Sequence, residues 1–300
     1  MLAGVAIDAV LADPRRGHPV ALFGGAAAGV ERRVYGDDRA RGVLHVVLCV
    51  VPVALLGHLA TRPGNPVVRA ALSAAATWAV VGGTTLGREG AAMAGFLEDG
   101  DLAGARGRLS HLCGRDPSGL AEAGLARATV ESIAENTSDA VVAPLFWGAV
   151  AGVPGLLAYR AVNTLDAMVG HRNARYERFG WAAARLDDVA NFVPARITGL
   201  LAVLGAPLVG GSARRAAAVL RRDGHRHPSP NAGRCEAAFA GALDRTLGGV
   251  NVYGTRVEHR PEMGDGPAPS VADIRRSVRL ARAVGLGAAA LAVLAVLRRR

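Results

Sequence analysis

Long apolar stretches alternate with polar, arginine-rich connections along most of this chain. Five of the stretches come close to the length of about 20 residues that a helix needs to cross a hydrocarbon core. They are 43–60, 67–86, 140–158, 189–211 and 283–297. Some carry polar interruptions, such as His45 and His58 in the first stretch. A buried soluble core would explain any one of them, but five in one chain favour an integral membrane protein.

The third stretch, 140–158, differs from the others because it contains two prolines and three glycines, among them Pro144, Gly152 and Pro154. Such a segment is expected to be kinked or re-entrant, which is tolerated at membrane depth only where protein or a polar cavity surrounds it. Arginine is dense in nearly every connection, so the positive-inside rule cannot be satisfied if every apolar stretch crosses. We therefore predict that 140–158 does not cross, and the orientation stays open.

Two polar segments between the apolar stretches are too long to be turns. Residues 87–139 have a helical pattern, and residues 212–278 contain a predicted helix at 234–247 that ends at Gly248 and Gly249. The sequence shows no internal repeat. It therefore predicts an all-α fold: a polytopic integral membrane helical protein, with helical polar loops packed on one face, forming a single membrane-embedded domain over residues 1–300.

Composition agrees with this fold class and excludes some chemistry. Of the 300 residues 51% are hydrophobic and only 4% aromatic, a mixture of small and aliphatic residues that suits closely packed membrane helices. The net charge is +10, and all basic residues other than histidine are arginine. The absence of lysine excludes a Walker A phosphate loop and a lysine Schiff base. The three cysteines have no paired spacing, so neither a disulfide framework nor a zinc site is expected.

The first polar motif is "ESIAENTSD", which runs directly into the third apolar stretch. Glu131, Glu135 and Asp139 follow one another at intervals of four residues, which places them on one stripe of a helix. Like charges at that spacing repel, and a divalent cation with oxygen ligands would offset the repulsion. The motif equally fits helix capping, with Ser132 and Glu135 as a capping box and Ser138 beginning the next helix. The spacing alone leaves both interpretations open.

The second polar motif covers residues 163–188, "NTLDAMVGHRNARYERFGWAAARLDD". Arginines at steps of three would present their guanidinium groups along one side, suited to phosphate or carboxylate. The alternative is a basic loop that contacts anionic lipid head groups. Asp187 and Asp188 favour a functional site, because with Asn191 and Arg196 they stand at the entrance of an apolar stretch, where ionisable groups are costly.

Two further motifs carry polar residues at turns. In "RDGHRHPSPNAGRCEAAFAGAL", Ser229, Pro230 and Asn231 form a predicted turn that caps a helix, and such a helix start offers N–H groups to an anion. His225 and His227 are two residues apart, a poor helical spacing for a metal. Near the N-terminus, "DAVLADPRRGHPVALFG" places acids and a histidine beside two prolines, an ordinary turn when taken alone.

Taken together, these stretches resemble the cobinamide synthase family of cobalamin biosynthesis (CobD/CbiB). The resemblance rests on "DAVLADP" with "HPV", "ESIAENTSDAVVAPLFW", "YRAVNTLDAMVGHRNARYERFGWAAARLDDVANFVPAR" and "DGHRHPSPNAGRCEAAFAGALDRTLGG" with "NVYG". These motifs follow the family's order over roughly residues 5–255. Ala12 stands where the family usually has glycine, and His171 where it often has tyrosine. Neither departure touches a charged position on which the expectations below depend.

The resemblance implies a multi-pass enzyme of the cell membrane. The family is described as an ATP-dependent acid–amine ligase that joins the f propionate carboxyl of cobyric acid to (R)-1-amino-2-propanol or its O-phosphate, giving cobinamide or its phosphate. The expected partners are these two substrates and the lipid bilayer, with no nucleic acid, and association with other enzymes of the pathway is left open. ATP enters through the resemblance alone, since the sequence shows no nucleotide-binding motif.

This chemistry suggests roles for the polar residues. A carboxylate is a poor electrophile, so it must be activated, and the moving charge needs Mg²⁺ and arginine to stabilise it. The hypothesised Mg²⁺ ligands are Glu131, Glu135, Asp139, Asp187 and Asp188. The catalytic set contains four of these together with three others: Glu131, Glu135, Asp187, Asp188, Asp166, His171 and His227. The expected proton acceptor from the ammonium is His171, His225 or His227.

Substrate binding is assigned to basic and amide side chains together with the turn residues. The guanidinium groups would hold phosphate or a corrinoid carboxylate, and the asparagines would hydrogen-bond the amide rim of the corrinoid. The set is Asp13, His18, Asn136, Asn163, Arg172, Asn173, Arg175, Arg178, Asn191, Arg196, Ser229 and Asn231.

Two other classes of protein use similar residues. A membrane prenyltransferase binds Mg²⁺-diphosphate through acid-rich motifs, although it carries two DxxxD motifs that "ESIAENTSD" matches only in part. A non-enzymatic scaffold or transport subunit would line a cation path with its acids, but it would need neither the "HPSPNAG" turn nor the arginine cluster.

Overall fold

The computed structural model describes residues 1–14, 16–171, 173–253 and 256–298. The chain is 73% helical, which confirms the all-α prediction. In chain order the helices are α1 Leu2–Leu11, α2 Pro19–Val34, α3 Arg39–Ala60, α4 Pro66–Val80, α5 Gly83–Glu98, α6 Leu102–Leu109, α7 Glu122–Thr137, α8 Ala143–Val169, α9 Trp181–Ala190, α10 Phe192–Gly205, α11 Ala213–Asp223, α12 Ala232–Leu243 and α13 Val271–Leu297. Shorter helical turns lie at Ser138–Val142 (π) and Ala206–Val209 (3₁₀).

Five helical segments of the described chain are long and apolar enough to cross a membrane, and they coincide with the five predicted stretches. They are Arg39–Ala60, Pro66–Glu98, Glu122–Val169, Phe192–Val209 and Val271–Leu297. The boundaries differ in two places. The stretch 67–86 is divided, because α4 ends at Val80 and α5 begins at Gly83. The last helix begins at Val271, well before the predicted start, so α13 is 27 residues long.

The helix that carries "ESIAENTSD" does not stop at this motif. Ser132 lies in the middle of α7, where its hydroxyl donates to the carbonyl of Leu112 at 2.6 Å, so the predicted capping box is wrong. Residues Ser138–Val142 continue the chain as a π-helical turn.

The kink predicted for the third stretch is confirmed in α8. Gly152 has φ 65° and ψ −156°, a conformation open only to glycine, and Pro154 follows within the helix. A proline there removes one backbone hydrogen bond and crowds the preceding turn, so the two residues together explain the bend. That residues 140–158 do not cross the membrane stays a prediction.

The chain separates into two compact units. Unit 1 consists of Met1–Gly82, Asp139–Asn191 and Ala289–Arg300, and unit 2 of Gly83–Ser138 and Phe192–Ala288. The single domain over residues 1–300 stays a prediction. Each polar site described below lies within one unit.

Unit 1 is built around α8, against which α2, α3, α4 and α9 pack. The close approach of α3 to α8 depends on small residues, since a Cβ at Gly57 would lie 2.7 Å from the Pro154 Cα. The core between these helices includes Val46, Leu165 and Phe179. Many large apolar side chains of α3 instead face outward, as lipid-facing residues of a membrane helix do. They are Val43, Leu44, Val47, Leu48, Val51, Leu55, Leu56 and Leu59.

Unit 2 is built around α12, which packs against α7, α10 and α11. All residues of α12 are buried except Arg234, which is partly exposed. The helix consists largely of alanine and glycine, so its neighbours approach closely. A Cβ at Gly241 would lie 2.7 Å from the Ala216 Cα. A helix that is apolar on all sides is expected to be central.

An antiparallel hairpin was missed by the sequence analysis. The predicted helix at 234–247 is wrong beyond Leu243, because Asp244 adopts a left-handed conformation with φ 59° and ends α12. Strands β1 Leu247–Tyr253 and β2 Arg256–Met263 then pair, with an irregularity between Leu247 and Gly249. Gly248 has φ 96°, and a Cβ there would lie 2.2 Å from the Pro261 carbonyl oxygen. The glycine pair thus permits the bulge rather than ending a helix.

Candidate functional site

In unit 1 a carboxylate is held by neutral amides between α8 and α9. Asp187 accepts hydrogen bonds from Asn163 Nδ2 at 3.3 Å and from Asn191 Nδ2 at 3.0 Å. The Tyr159 hydroxyl lies 2.9 Å from Asn191 Oδ1 and 3.2 Å from the Asp139 carbonyl oxygen. The carboxylates of Asp139 and Asp187 both act electrostatically on that hydroxyl. The structure therefore brings together four predicted site residues, with Tyr159 as an unpredicted member.

A second unit 1 pair joins the two predicted N-terminal residues. His18 caps α2, since its Nδ1 accepts a hydrogen bond from the Val20 N–H at 3.1 Å. Its Nε2 lies 3.3 Å from Asp13 Oδ1. With Nδ1 accepting, a neutral ring carries its proton on Nε2 and points it at the carboxylate. This pair fixes the turn before α2.

The basic segment after α8 is not a helix. Residues 173–180 form a bend followed by turns, and because Arg172 lies outside the described residues, the prediction that Arg172, Arg175 and Arg178 share one side stays a prediction. Asn173 Oδ1 accepts from the backbone N–H groups of Arg175 and Tyr176, which stabilises the turn. Arg175 Nη2 donates to Glu31 Oε1 at 2.9 Å, and its guanidinium lies 4.3 Å from the Tyr35 ring centroid. These partners raise the pKa of Arg175 and tie it to α2.

The remaining predicted residues have separate surroundings. His171 and Arg178 are exposed, and Arg172 lies outside the described residues. Asp166 lies in the last turn of α8, and Asp188 pairs with Arg185 at 3.3 Å on the surface of α9.

In unit 2, Glu131 has both carboxylate oxygens engaged. Arg115 Nη2 donates to Oε2 at 2.5 Å, and the Gly248 N–H donates to Oε1 at 2.7 Å. Arg127, one turn earlier on α7, lies 3.9 Å from Oε1. Glu131 is only 4% exposed. It therefore binds three segments of unit 2 together.

Glu135, one turn further along α7, is accessible to solvent. Its carboxylate interacts electrostatically with Glu131, Arg115 and Arg260. Glu135 therefore combines solvent exposure with charged neighbours. The neighbouring Asn136 is turned back on its own helix, with Nδ2 donating to the Ser132 carbonyl at 2.9 Å.

Unit 2 also contains a buried acid that was not among the predicted site residues. Glu236 on α12 is 1% exposed, and its Oε1 lies 3.8 Å from His227 Nε2 and 4.0 Å from Arg260 Nη1. Burial, together with the negative charges of Glu131 and Glu135, raises the pKa of Glu236. Burial and the positive charge of Arg260 lower the pKa of His227 to about 4.

The start of α12 brings together the three predicted turn and arginine residues of unit 2. The Ser229 hydroxyl accepts from the backbone N–H groups of Asn231 and Ala232, which confirms the predicted capping turn. Arg196 Nη1 donates to Asn231 Oδ1 at 3.0 Å. Arg196 also has a positive neighbour, Arg234, whose buried Nε has no hydrogen-bond partner among the described residues. Two cations beside a helix N-terminus favour an anion.

The five carboxylates predicted to bind Mg²⁺ come from both units, with Glu131 and Glu135 in unit 2 and Asp139, Asp187 and Asp188 in unit 1. Among the described residues no group of three histidine, cysteine or acidic side chains is arranged to hold a metal. Glu131 does not fit a ligand role, because an arginine and a backbone N–H occupy its oxygens. Asp139 and Asp187 fit better, since Mg²⁺ commonly takes one or two carboxylates and completes its shell with water and phosphate.

These features define the class of the protein: a helical, polytopic membrane protein with polar sites between its helices. The chain belongs to the CobD/CbiB family, because the family model described as CobD/Cbib protein matches residues 1–281. This confirms the resemblance and does not favour a prenyltransferase or a scaffold.

Individual relatives agree with the family match. The cobalamin biosynthesis protein CobD of Mycobacterium tuberculosis is 55% identical over 300 residues, covering 100% of this chain and 96% of the relative. The protein of the same name from Rhodobacter capsulatus is 45% identical over an alignment that covers 94% of this chain and 92% of the relative. The CobD protein from Geobacter metallireducens is 44% identical over an alignment that covers 93% of this chain and 91% of the relative. No solved structure matches the chain.

Proposed function

We propose that this chain acts in cobalamin biosynthesis as a multi-pass cell-membrane enzyme. It would join the f propionate carboxyl of cobyric acid to (R)-1-amino-2-propanol or its O-phosphate. Membership of the family over residues 1–281 carries the proposal. Two features of unit 2 support it: the accessible carboxylate of Glu135 and the cations at the start of α12.

The two charged regions of unit 2 suit the two ends of an amino alcohol phosphate. Glu135 offers an accessible negative charge to the ammonium group. Arg196 and Arg234, at the start of α12, offer positive charge to a phosphate or a corrinoid carboxylate. Asn231 orients Arg196 through their hydrogen bond, which limits the freedom that the arginine would lose on binding.

The amide bond requires an activated carboxyl, for which the family resemblance suggests ATP. In this proposal the terminal phosphoryl group moves to the carboxyl oxygen. The amine nitrogen then forms the C–N bond, and phosphate leaves with that oxygen while the ammonium protons pass to a base. Mg²⁺, if held by Asp139 and Asp187 in unit 1, would supply charge neutralisation for the phosphates. The chain's own role is to hold the amine and the carboxyl and to exclude water.

The proposal is tested with membranes that contain the wild-type chain. They are incubated with cobyric acid, ATP, Mg²⁺ and either aminopropanol or its phosphate, and the amide is sought by mass spectrometry. We expect product with the complete mixture and none when ATP is omitted.

Two variants sharpen the test. Glu135→Ala should abolish product while the protein still inserts, because the ammonium loses its counter-charge. Asp99→Asn, an exposed carboxylate in the turn after α5, is the matched control and should retain full activity. Absence of the amide from the wild type with both amines would refute the proposed function.

A further inference from the structure

Two buried polar side chains of unit 2 each have one atom without a hydrogen-bond partner among the described residues. Glu236 is 1% exposed and His227 is 8% exposed. Among the described residues, neither Glu236 Oε2 nor His227 Nε2 has a hydrogen-bond partner. Buried polar atoms are nearly always paired, so two such atoms on neighbouring side chains, with His227 Nε2 at 3.8 Å from Glu236 Oε1, require an explanation.

His227 presents a donor to this space. Its Nδ1 lies 3.0 Å from the Ser229 backbone N–H and 3.4 Å from the Ser229 carbonyl oxygen, so the N–H contact is the better one. Nδ1 is then an acceptor, and a neutral imidazole carries its single proton on Nε2. The pKa of about 4 agrees with a neutral ring at physiological pH. His227 is therefore a poor candidate for the base that accepts the ammonium proton.

Glu236 presents a second donor. Its nearest cation, Arg260, is 4.0 Å away and also pairs with Glu258 at 3.5 Å. An ionised carboxylate in such a buried place, without a close partner, is costly. The charged groups around it are Glu131 and Glu135 on α7, Arg115 before α7 and Arg260 on β2. The two acids raise its pKa in the same direction as burial does, so its neutral form, which carries an O–H, is favoured.

Two donors on neighbouring side chains can share one acceptor. The 3.8 Å between His227 Nε2 and Glu236 Oε1 is too long for a direct hydrogen bond. An oxygen atom at about 2.8 Å from each would bridge them. Arg260, on the same side of Glu236, adds positive charge.

We propose that His227 and Glu236 form a buried binding site for an acceptor oxygen, and that its occupant is the acyl oxygen of the corrinoid carboxyl at which the amide forms. The identity of the occupant rests on the proposed function. Attack by the amine pushes negative charge onto that oxygen, and two positioned donors stabilise the charge where water is excluded. Glu236 thus donates a hydrogen bond and is neither a base nor a metal ligand.

The kinetic test uses the full chain in nanodiscs with cobyric acid and the amine. Glu236→Gln keeps a neutral donor of the same length, so we expect its kcat to stay within about threefold of wild type. Glu236→Ala and His227→Ala remove one donor each and should lower kcat by about 10²–10³-fold. The KM for the amine should not change, because the amine binds elsewhere. Asp99→Asn serves again as the control.

If the kcat of Glu236→Gln falls as far as that of Glu236→Ala, Glu236 acts as an anion and the proposal is wrong. Infrared difference spectroscopy provides a test that needs no turnover and no correctly folded alanine variant. The wild type at pH 7 should show a carboxylic-acid C=O band that is missing from Glu236→Gln and present in Asp99→Asn. Absence of the band from the wild type would mean an ionised Glu236 and would overturn the proposal.

The occupant is tested by adding cobyric acid or inorganic phosphate to the same samples. Saturating cobyric acid should shift the Glu236 band, as a new hydrogen bond to the ligand forms, and phosphate should not. A shift with phosphate alone, or no shift with either, would exclude the acyl oxygen. If the wild type binds cobyric acid and shifts the band but forms no amide with either amine, the proposed function fails while the oxygen site stands.

Discussion

Arg115 and Glu131 form a buried ion pair, with 2.5 Å between Nη2 and Oε2 and side chains that are 4% and 5% exposed. Arg115 lies in the connection before α7, and Glu131 lies on α7. The second oxygen of Glu131 accepts the Gly248 N–H of β1 at 2.7 Å. The carboxylate that the sequence suggests as a metal ligand therefore joins the hairpin and the connection to α7.

Removing Arg115 should destabilise the protein strongly. Arg115→Ala leaves the Glu131 carboxylate buried with Gly248 and the more distant Arg127 as its remaining partners among the described residues. Loss of one member of a buried pair costs about 3–5 kcal/mol. We expect a correspondingly lower midpoint of thermal unfolding, measured in nanodiscs by the change in helical circular dichroism.

The control for this prediction is the surface pair of Arg215 and Asp244, whose side chains are 51% and 44% exposed. Arg215→Ala should change the free energy of unfolding by no more than about 1 kcal/mol, because solvent screens such pairs. The double variant Arg115→Met with Glu131→Leu should recover part of the lost stability. Equal effects of Arg115→Ala and Arg215→Ala would show that the buried pair does not hold unit 2 together.

The sequence predicted the apolar helices well because their signal is local. Length and hydropathy identified all five candidate spans, and Gly152 with Pro154 identified the kink in α8. The predicted stripe of Glu131, Glu135 and Asp139 assumed an unbroken α-helix. A π turn begins at Ser138, and the sequence carried no recognised signal for it.

The contents of the candidate sites were predictable only in part. The turn at Ser229 and Asn231 has a local signature, but the partners of Glu131 come from Arg115 and from a hairpin far along the chain. Such long-range pairing depends on tertiary packing. Glu236 did have a local signal that was overlooked, because it is the single acid of α12 and an apolar run follows it to Leu243.

Asp223 should make stability depend on pH in the acid range. It is fully buried and accepts hydrogen bonds from Arg222, Arg226 and the Gly264 N–H. Arg222 in particular lowers the pKa of Asp223 to about 2. A lowered pKa in the folded state means that the carboxylate stabilises the fold above its unfolded value of about 4. That contribution is lost as the pH falls from about 4 towards 2.

We expect the Asp223 carboxylate to contribute on the order of 1 kcal/mol to the free energy of unfolding at neutral pH, because its arginine partners are half exposed and screened by solvent. The unfolding midpoints of wild type and Asp223→Asn should differ at pH 7 and converge near pH 2. Asp265→Asn removes an exposed carboxylate that contacts Arg222, and it should show little of this dependence. A wild-type advantage that persists unchanged to pH 2 would contradict the assignment to Asp223.

Gly152 should be intolerant of any side chain. Its φ of 65° and ψ of −156° lie in a region that costs other residues on the order of 1–3 kcal/mol. Gly152→Ala should lower the unfolding midpoint or straighten α8. Gly95, inside α5 with open space at its Cβ position, is the matched control. Gly95→Ala should be neutral or stabilise by up to about 1 kcal/mol, because alanine is the better helix former. If both substitutions behave alike, the bend does not depend on the glycine conformation.

The cations at the start of α12 should distinguish the two candidate amines. Arg196 is oriented by Asn231 at 3.0 Å and has Arg234 as a positive neighbour, so a phosphate placed there would gain charge-assisted hydrogen bonds. If the phosphorylated amine is the substrate and its phosphate binds there, Arg196→Ala should raise its KM at least about tenfold. The KM for unphosphorylated aminopropanol should then stay unchanged. Arg214→Ala, an exposed arginine on α11, controls for the general loss of positive charge. A KM that rises equally for both amines would place a corrinoid carboxylate at Arg196 instead, and a KM that rises for neither would remove this pair from substrate binding.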